Sequence, residues 1–288
     1  MNKKAVKLLL KLFLTTLALY LVFRKIDTKA TVEIVQGADL LWLFLALLLF
    51  MLSKIFSAFR LNHFFKNLGM VLPTVQNLKL YGIGMFYNLF LPGGIGGDGY
   101  KVFLLNKFYK APVKQLLQAV VLDRLNGLVV LLFLMLVLMF WVEVVAVLPV
   151  DISTVAGVAL LILPVAFYGM MRLFFPIFIA STAVTLAYSF LVQITQLACA
   201  YLILVSLGIH TQILEYQFVF LLSSVVAVLP LTIGGVGARE LVFIWSHDYM
   251  GIDKNAAVAF SLLFFLITAL VSLSGIFLKF RPSHESPS

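Results

Sequence analysis

The chain has 288 residues, of which 63% are hydrophobic and only 11% charged, with a formal net charge of +9 and a mean hydropathy of +1.11. A soluble domain is about 45–50% apolar and about 25% charged, so this composition excludes a soluble enzyme, a disulfide-stapled secreted domain and a disordered chain. The basic excess fits cytoplasmic loops and anionic lipid surfaces rather than nucleic acid. Cys199 has no partner for an internal disulfide, and His63, His210, His247 and His284 have no metal-ligand spacing. No metal or other cofactor is expected.

A crossing helix needs about 20 mostly apolar residues for a hydrocarbon core of about 30 Å. The first such stretch, roughly 5–23, follows Lys3, Lys4 and Lys7 and runs into Arg24-Lys25-Ile26-Asp27. It lacks a small-residue cleavage site and reads as a retained helix, not a signal peptide. The second span is roughly 39–59. Residues 76–107 are apolar but broken at Leu91-Pro92-Gly93-Gly94-Ile95-Gly96-Gly97, which no helix runs through. The third span is roughly 126–142, and the fourth is roughly 154–171, where Pro164 is expected to introduce a kink. The fifth is roughly 180–207. Residues 216–247 are again apolar and again broken, at Leu229-Pro230-Leu231-Thr232-Ile233-Gly234-Gly235. The sixth span is roughly 256–278, followed by a polar tail, 281–288, expected on the cytoplasmic side.

The halves of each broken segment are too short to cross alone, so each reads as a re-entrant hairpin, with its irregular tip inside protein or beside a watery cavity. The two breaks are copies of one another. Leu91 to Lys101 aligns without gaps on Leu229 to Arg239; six of the eleven residues are identical, and Lys101 falls on Arg239. With the N-terminus inside and each hairpin returning to the side it entered, Lys and Arg concentrate inside. Only Arg24, Lys25, Lys29 and Lys254 fall outside, and Arg239 lies in the second hairpin. Both termini are then cytoplasmic in a multi-pass cytoplasmic-membrane protein. The expected fold is an all-α polytopic membrane protein, a single domain over 1–280. Its six transmembrane helices and two oppositely oriented re-entrant hairpins form an inverted repeat, with units at about 39–142 and 180–278, as in many transporters.

Chemistry is expected at the hairpin tips. Gly96, Gly97, Gly234 and Gly235 expose backbone N–H groups where a helix begins, and a helix N-terminus attracts anions. Lys101 and Arg239 lean back toward these turns and add positive charge. Asn88, just before the first break, supplies a hydrogen-bonding group, while Pro92 and Pro230 set the breaks. Two such tips suit a phosphate-bearing headgroup. The plainer alternative is that the glycines only permit close packing and the basic residues reach for lipid phosphates. Asp98, Asp123, Arg124 and Glu240 sit in or beside apolar segments, where ionisable groups are costly and functional. They are expected to form ion pairs across elements or to couple a proton; Asp98 also suits a helix cap. Arg60 reads as a span-end anchor.

The Asn88–Asp98 run, the Asp123-Arg124 pair and the Gly234–Glu240 run resemble the lysylphosphatidylglycerol synthase transmembrane, or flippase-like, family, over roughly 8–280. Its best-known member is the membrane domain of the bacterial multiple peptide resistance factor. The resemblance implies a bacterial or archaeal membrane protein that moves lipids across the cytoplasmic membrane. Lys101 stands where the family pattern has Arg. Only the stretch 281–288 follows the last span, so the synthase activity in the family name is not expected of these residues. Enzyme motifs are missing as well. Ile95-Gly96-Gly97-Asp98 lacks the first glycine of a membrane aspartyl protease motif, and no Gly-x-Ser-x-Gly or His-Glu-x-x-His occurs. The expected function is a lipid translocase, not an enzyme. Its partner would be an anionic membrane lipid (a phospholipid or a polyprenyl phosphate), with a lipid-modifying enzyme as a further one. The alternative is a non-transporting subunit supporting a lipid-linked synthase or glycosyltransferase.

Overall fold

A computed structural model describes residues 16, 17, 20–22, 24–90, 96–142, 152–228 and 237–281. Among these residues the secondary structure is entirely helical. A short helix, α1 (Thr28–Gln36), precedes α2 (Leu40–Asn67), α3 (Thr74–Phe90), α4 (Gly96–Tyr109) and α5 (Val113–Leu138). After α6 (Ile152–Phe174) and a 3-10 turn come α7 (Thr182–Ser206), α8 (Ile213–Val228), α9 (Ala238–Met250) and α10 (Lys254–Leu273). Among the described residues, five helical stretches are long and apolar enough to cross a membrane: Leu40–Asn67, Val113–Leu138, Ser153–Phe174, Pro176–Ser206 and Lys254–Phe277. The expected first span lies largely outside the described residues, although Val22 packs on Ile244 and Val258. Large apolar side chains such as Leu161, Val165, Leu173 and Phe277 point outward, the arrangement a hydrocarbon solvent favours.

Polar caps set several helix ends. The Leu41 N–H donates to Asp39 Oδ1 at the start of α2, and the Ala256 N–H to Asp253 Oδ1 at the start of α10. The expected third span is longer than its apolar run. The helix begins at Val113, so Asp123 and Arg124 lie in its middle rather than at its edge. A hydropathy window stops at these charges; the fold does not, because each meets an opposite charge on another helix. In the same way α2 continues to Asn67, past Arg60.

Both broken segments fold back on themselves. In the first, the Tyr87 and Tyr100 rings lie 4.2 Å apart and the Gly97 N–H donates to Asn88 Oδ1 over 2.8 Å. In the second, Gln212 Nε2 donates to the Met250 carbonyl over 3.0 Å, tying the open ends together. At 17, 14, 16 and 13 residues, the four arms are each roughly 20–25 Å long at about 1.5 Å per residue. The breaks themselves, with Pro92, Pro230, Gly234 and Gly235, lie outside the described residues.

The two helix sets correspond in length and in packing. The set α2, α3, α4, α5 has 28, 17, 14 and 26 residues; the set α7, α8, α9, α10 has 25, 16, 13 and 20. Contacts survive exchange of the sets: α5 packs on α8 and α7, while α10 packs on α3 and α2. The equivalent helices α2 and α7 make the most extensive contact in the molecule. Ala46, Ser53, Ser57 and Ala58 meet a helix carrying Thr185, Ser189, Cys199 and Ala200, all buried, and small residues let helix backbones approach. One apolar core gathers around Phe220, Phe243, Phe260 and Phe264, and another around Leu61, Phe64, Leu80 and Leu105. Along α2, the stretch from Ser53 to Arg60 separates Phe50 of the first core from Leu61 of the second.

Candidate functional site

Phe50, Lys54, Ser57 and Arg60 recur every three or four residues and so share one face of α2. Arg60 Nε donates to Asp123 Oδ1 of α5 over 2.7 Å, and its Nη1 donates to Ser189 Oγ of α7 over 2.9 Å. Both partners of the ion pair are buried. Gly127, one turn after Asp123, makes room for the guanidinium: a Cβ there would lie 3.1 Å from Arg60 Nη1.

Asp98, in the first turn of α4, holds two cations. Lys101 Nζ donates to Oδ1 over 3.0 Å, and Arg124 Nε of α5 donates to Oδ2. Lys101 is buried, with Nζ 4.5 Å from the centre of the Tyr81 ring and its stem against Gly84. The start of α4 is held just as closely. A Cβ on Gly97 would fall 1.8 Å from the Gly84 carbonyl oxygen, and the Gly97 N–H is committed to Asn88. Gly97 and Asn88 thus hold the two arms of the hairpin against each other. Gly96 opens the helix beside them.

The second hairpin is built differently. Gly237 adopts φ +83°, a left-handed conformation that favours glycine. Its N–H donates to Glu240 Oε2 over 2.7 Å, while Ser261 Oγ of α10 donates to Oε1 over 2.8 Å. Glu240 thus caps α9 and ties it to α10. Arg239 places its guanidinium 5.2 Å from the centre of the Phe264 ring. Across from it, Lys54 Nζ lies 4.4 Å from the centre of the Phe50 ring, and the two rings meet edge to face at 5.7 Å. Among the described residues, neither Lys54 nor Arg239 has a carboxylate within ion-pair distance.

These side chains surround a cavity of about 220 Å³. Among the described residues its charged lining is Lys54, Arg60, Arg124 and Arg239, with no aspartate or glutamate. Gln193, Gln196, Ser224 and Thr268 add neutral hydrogen-bonding groups. Both helix sets contribute walls, α2, α3 and α5 from one and α7 to α10 from the other. Of the expected cation pair, Arg239 reaches the cavity, whereas Lys101 is drawn to Asp98 behind it. Asp123 faces the lining cation Arg60, and Asp98 shares its single charge between Lys101 and the lining cation Arg124. Lys54 escaped the sequence reading, and Arg60 was read only as an anchor. Both lie well inside an apolar helix, and an ionisable residue there is itself a functional signal.

Fold and site together define a multi-pass helical membrane protein with a buried ion-pair network beside a cationic cavity. The chain belongs to the family described as Lysylphosphatidylglycerol synthase TM region, whose sequence model matches residues 8–275. It is 24% identical to a UPF0104 membrane protein of Pyrococcus horikoshii, over 83% of this chain and 86% of the relative.

Proposed function

We propose that the protein is a membrane lipid translocase for an anionic or phosphate-bearing lipid, whose headgroup enters the cavity between the two helix sets. The observation that carries this reading is the lining: among the described residues, four cationic side chains and no carboxylate. A buried cation without a counter-charge is costly, and a ligand phosphate supplies that charge. The duplicated helix sets support alternating access, because equivalent halves facing opposite sides give two related conformations of one site. Asp98 with Lys101 and Arg124, and Asp123 with Arg60, are the pairs that exchange as one side closes and the other opens. The chemistry is binding and movement, with no bond made or broken in the lipid.

The reading includes the topology: six spans, two opposed re-entrant hairpins and both termini in the cytoplasm. Lys110→Cys and Gln212→Cys in a Cys199→Ala background test it with an impermeant thiol reagent. Labelling from opposite sides is expected; labelling from one side removes the topology. Function is tested in liposomes by following a labelled lipid between leaflets, with and without a proton gradient. Phosphatidylglycerol, its aminoacyl esters and a polyprenyl phosphate are the candidates. If none moves, the protein is better read as a membrane subunit supporting a lipid-linked synthase or glycosyltransferase.

A further inference from the structure

We infer that the headgroup this site takes is a phosphomonoester carrying two negative charges, not a phosphodiester and not a cationic aminoacyl ester. The inference rests on the lipid-binding reading above and narrows its ligand. Among the described residues the cavity lining carries four cations, Lys54, Arg60, Arg124 and Arg239; Arg60 has Asp123 and Arg124 has Asp98 as its ion-pair partner, while Lys54 and Arg239 have none. The carboxylates are committed: Asp123 to Arg60, Asp98 to Lys101 and Arg124, and Glu240 to the Gly237 N–H and Ser261. Lys54 and Arg239 are held in place by ring faces rather than by opposite charge. Ring faces attract a cation but leave its charge uncancelled. In a low-dielectric interior two uncancelled charges call for a dianion. A phosphomonoester has a charge of about −1.5 to −2 near pH 7; a phosphodiester supplies one negative charge, and lysylated phosphatidylglycerol is a net cation that the cavity repels.

Free phosphate shares this chemistry, but an apolar groove favours the lipid. Leu43 and Leu47 of α2 and Leu263, Ile267 and Leu270 of α10 line a groove between two of the helices that wall the cavity. Phe50 follows Leu47 by one turn, and Phe264 follows Leu263. The touching Phe50 and Phe264 rings, which line the cavity, sit within one helical turn of groove residues on both helices.

The test is equilibrium binding to the purified full chain in detergent. The probes are phosphatidic acid, phosphatidylglycerol and lysylphosphatidylglycerol of identical acyl chains, plus inorganic phosphate. Phosphatidic acid is expected to bind at least about tenfold more tightly than phosphatidylglycerol at pH 7.5, the scale of one charge-assisted contact. The lysylated lipid should bind weakest. Because the second ionisation of a phosphomonoester lies near pH 6, the preference should fade by pH 5 as its second charge is lost, while phosphatidylglycerol changes little. Lys54→Gln and Arg239→Gln should each bring the two lipids to similar affinity, and Lys54→Arg should keep them apart. Equal affinity of the unaltered protein for the two lipids at pH 7.5, or an undiminished preference in both glutamine variants, overturns the inference. Inorganic phosphate binding as tightly as phosphatidic acid overturns the assignment to a lipid. A protein that prefers phosphatidic acid yet moves no lipid in liposomes loses the translocase reading and keeps this ligand class. One that moves phosphatidylglycerol as fast as phosphatidic acid keeps transport and loses the ligand class.

Discussion

In the set α2 to α5, Asp98 holds Lys101 and Arg124, and Asp123 holds Arg60. In the set α7 to α10, Arg239 occupies the position of Lys101 but rests on the Phe264 ring. The nearby carboxylate, Glu240, is taken up by the Gly237 N–H and Ser261. The aligned counterpart of Asp98 is Val236. The two sets share helix order and packing while dividing the acids unequally. The first half braces Arg60, Lys101 and Arg124 with carboxylates but leaves Lys54 on the Phe50 ring. The second half has no such ion pairs among the described residues and leaves Arg239 on the Phe264 ring, so each half turns one cation without an ion-pair partner toward the cavity.

The largest effect should come from breaking the braced half. Asp123→Ala leaves Arg60 buried without its carboxylate, a change that costs about 3–5 kcal/mol. Thermal unfolding in detergent should show a large drop in stability, and Arg60→Met with Asp123→Leu should restore most of it. If Asp123→Ala is as stable as the parent, the first half is not held by this pair. The contrast with the second half is Glu240→Ala, which removes one acceptor of two hydrogen bonds and unpairs no ion-paired cation. About 1–3 kcal/mol is expected there, clearly less than for Asp123→Ala in the same unfolding assay.

A smaller effect separates the equivalent cations. Lipid binding should fall roughly 10-fold or more in Arg239→Gln, about 1.5 kcal/mol, with little change in unfolding temperature. Lys101→Gln should show the reverse, near-normal affinity and lower stability, because Lys101 supports Asp98 and does not line the cavity. Equal losses of affinity in the two variants would erase the distinction between the halves. The finest contrast lies within one turn of α4. Gly97→Ala pushes a methyl group against the Gly84 carbonyl and should cost about 1–3 kcal/mol. Gly99→Ala meets nothing within 4 Å and should be neutral or stabilising by up to about 1 kcal/mol. Unfolding temperatures of the two variants measure this directly.

Much of the architecture was legible because its signals are local. Twenty apolar residues in a row, a proline-glycine break and a repeated eleven-residue motif can all be read without knowing what touches what. The ends of α2 and α5 were not, because a hydropathy window stops at Arg60, Asp123 and Arg124, and their opposite charges lie far away in sequence. The candidate site divided in the same way. Arg239 was readable from its place in the motif. Lys101 was assigned the same role by symmetry, but Asp98, three residues before it on the same helix face, takes its charge. Lys54 passed unnoticed because a lone lysine in an apolar helix declares no partner.

By itself the sequence determined the solvent and the all-helical class, since composition and local period decide these. Only the tertiary structure decided which charges cancel. It set Arg60 against Asp123, gave Asp98 two cations, spent Glu240 on a cap and left Lys54 and Arg239 facing one cavity. The physical reason is the steep dependence of electrostatic energy on distance and burial. Whether a buried charge is neutral or demanding depends on groups within a few ångströms, and chain order places Lys54 and Arg239 far apart.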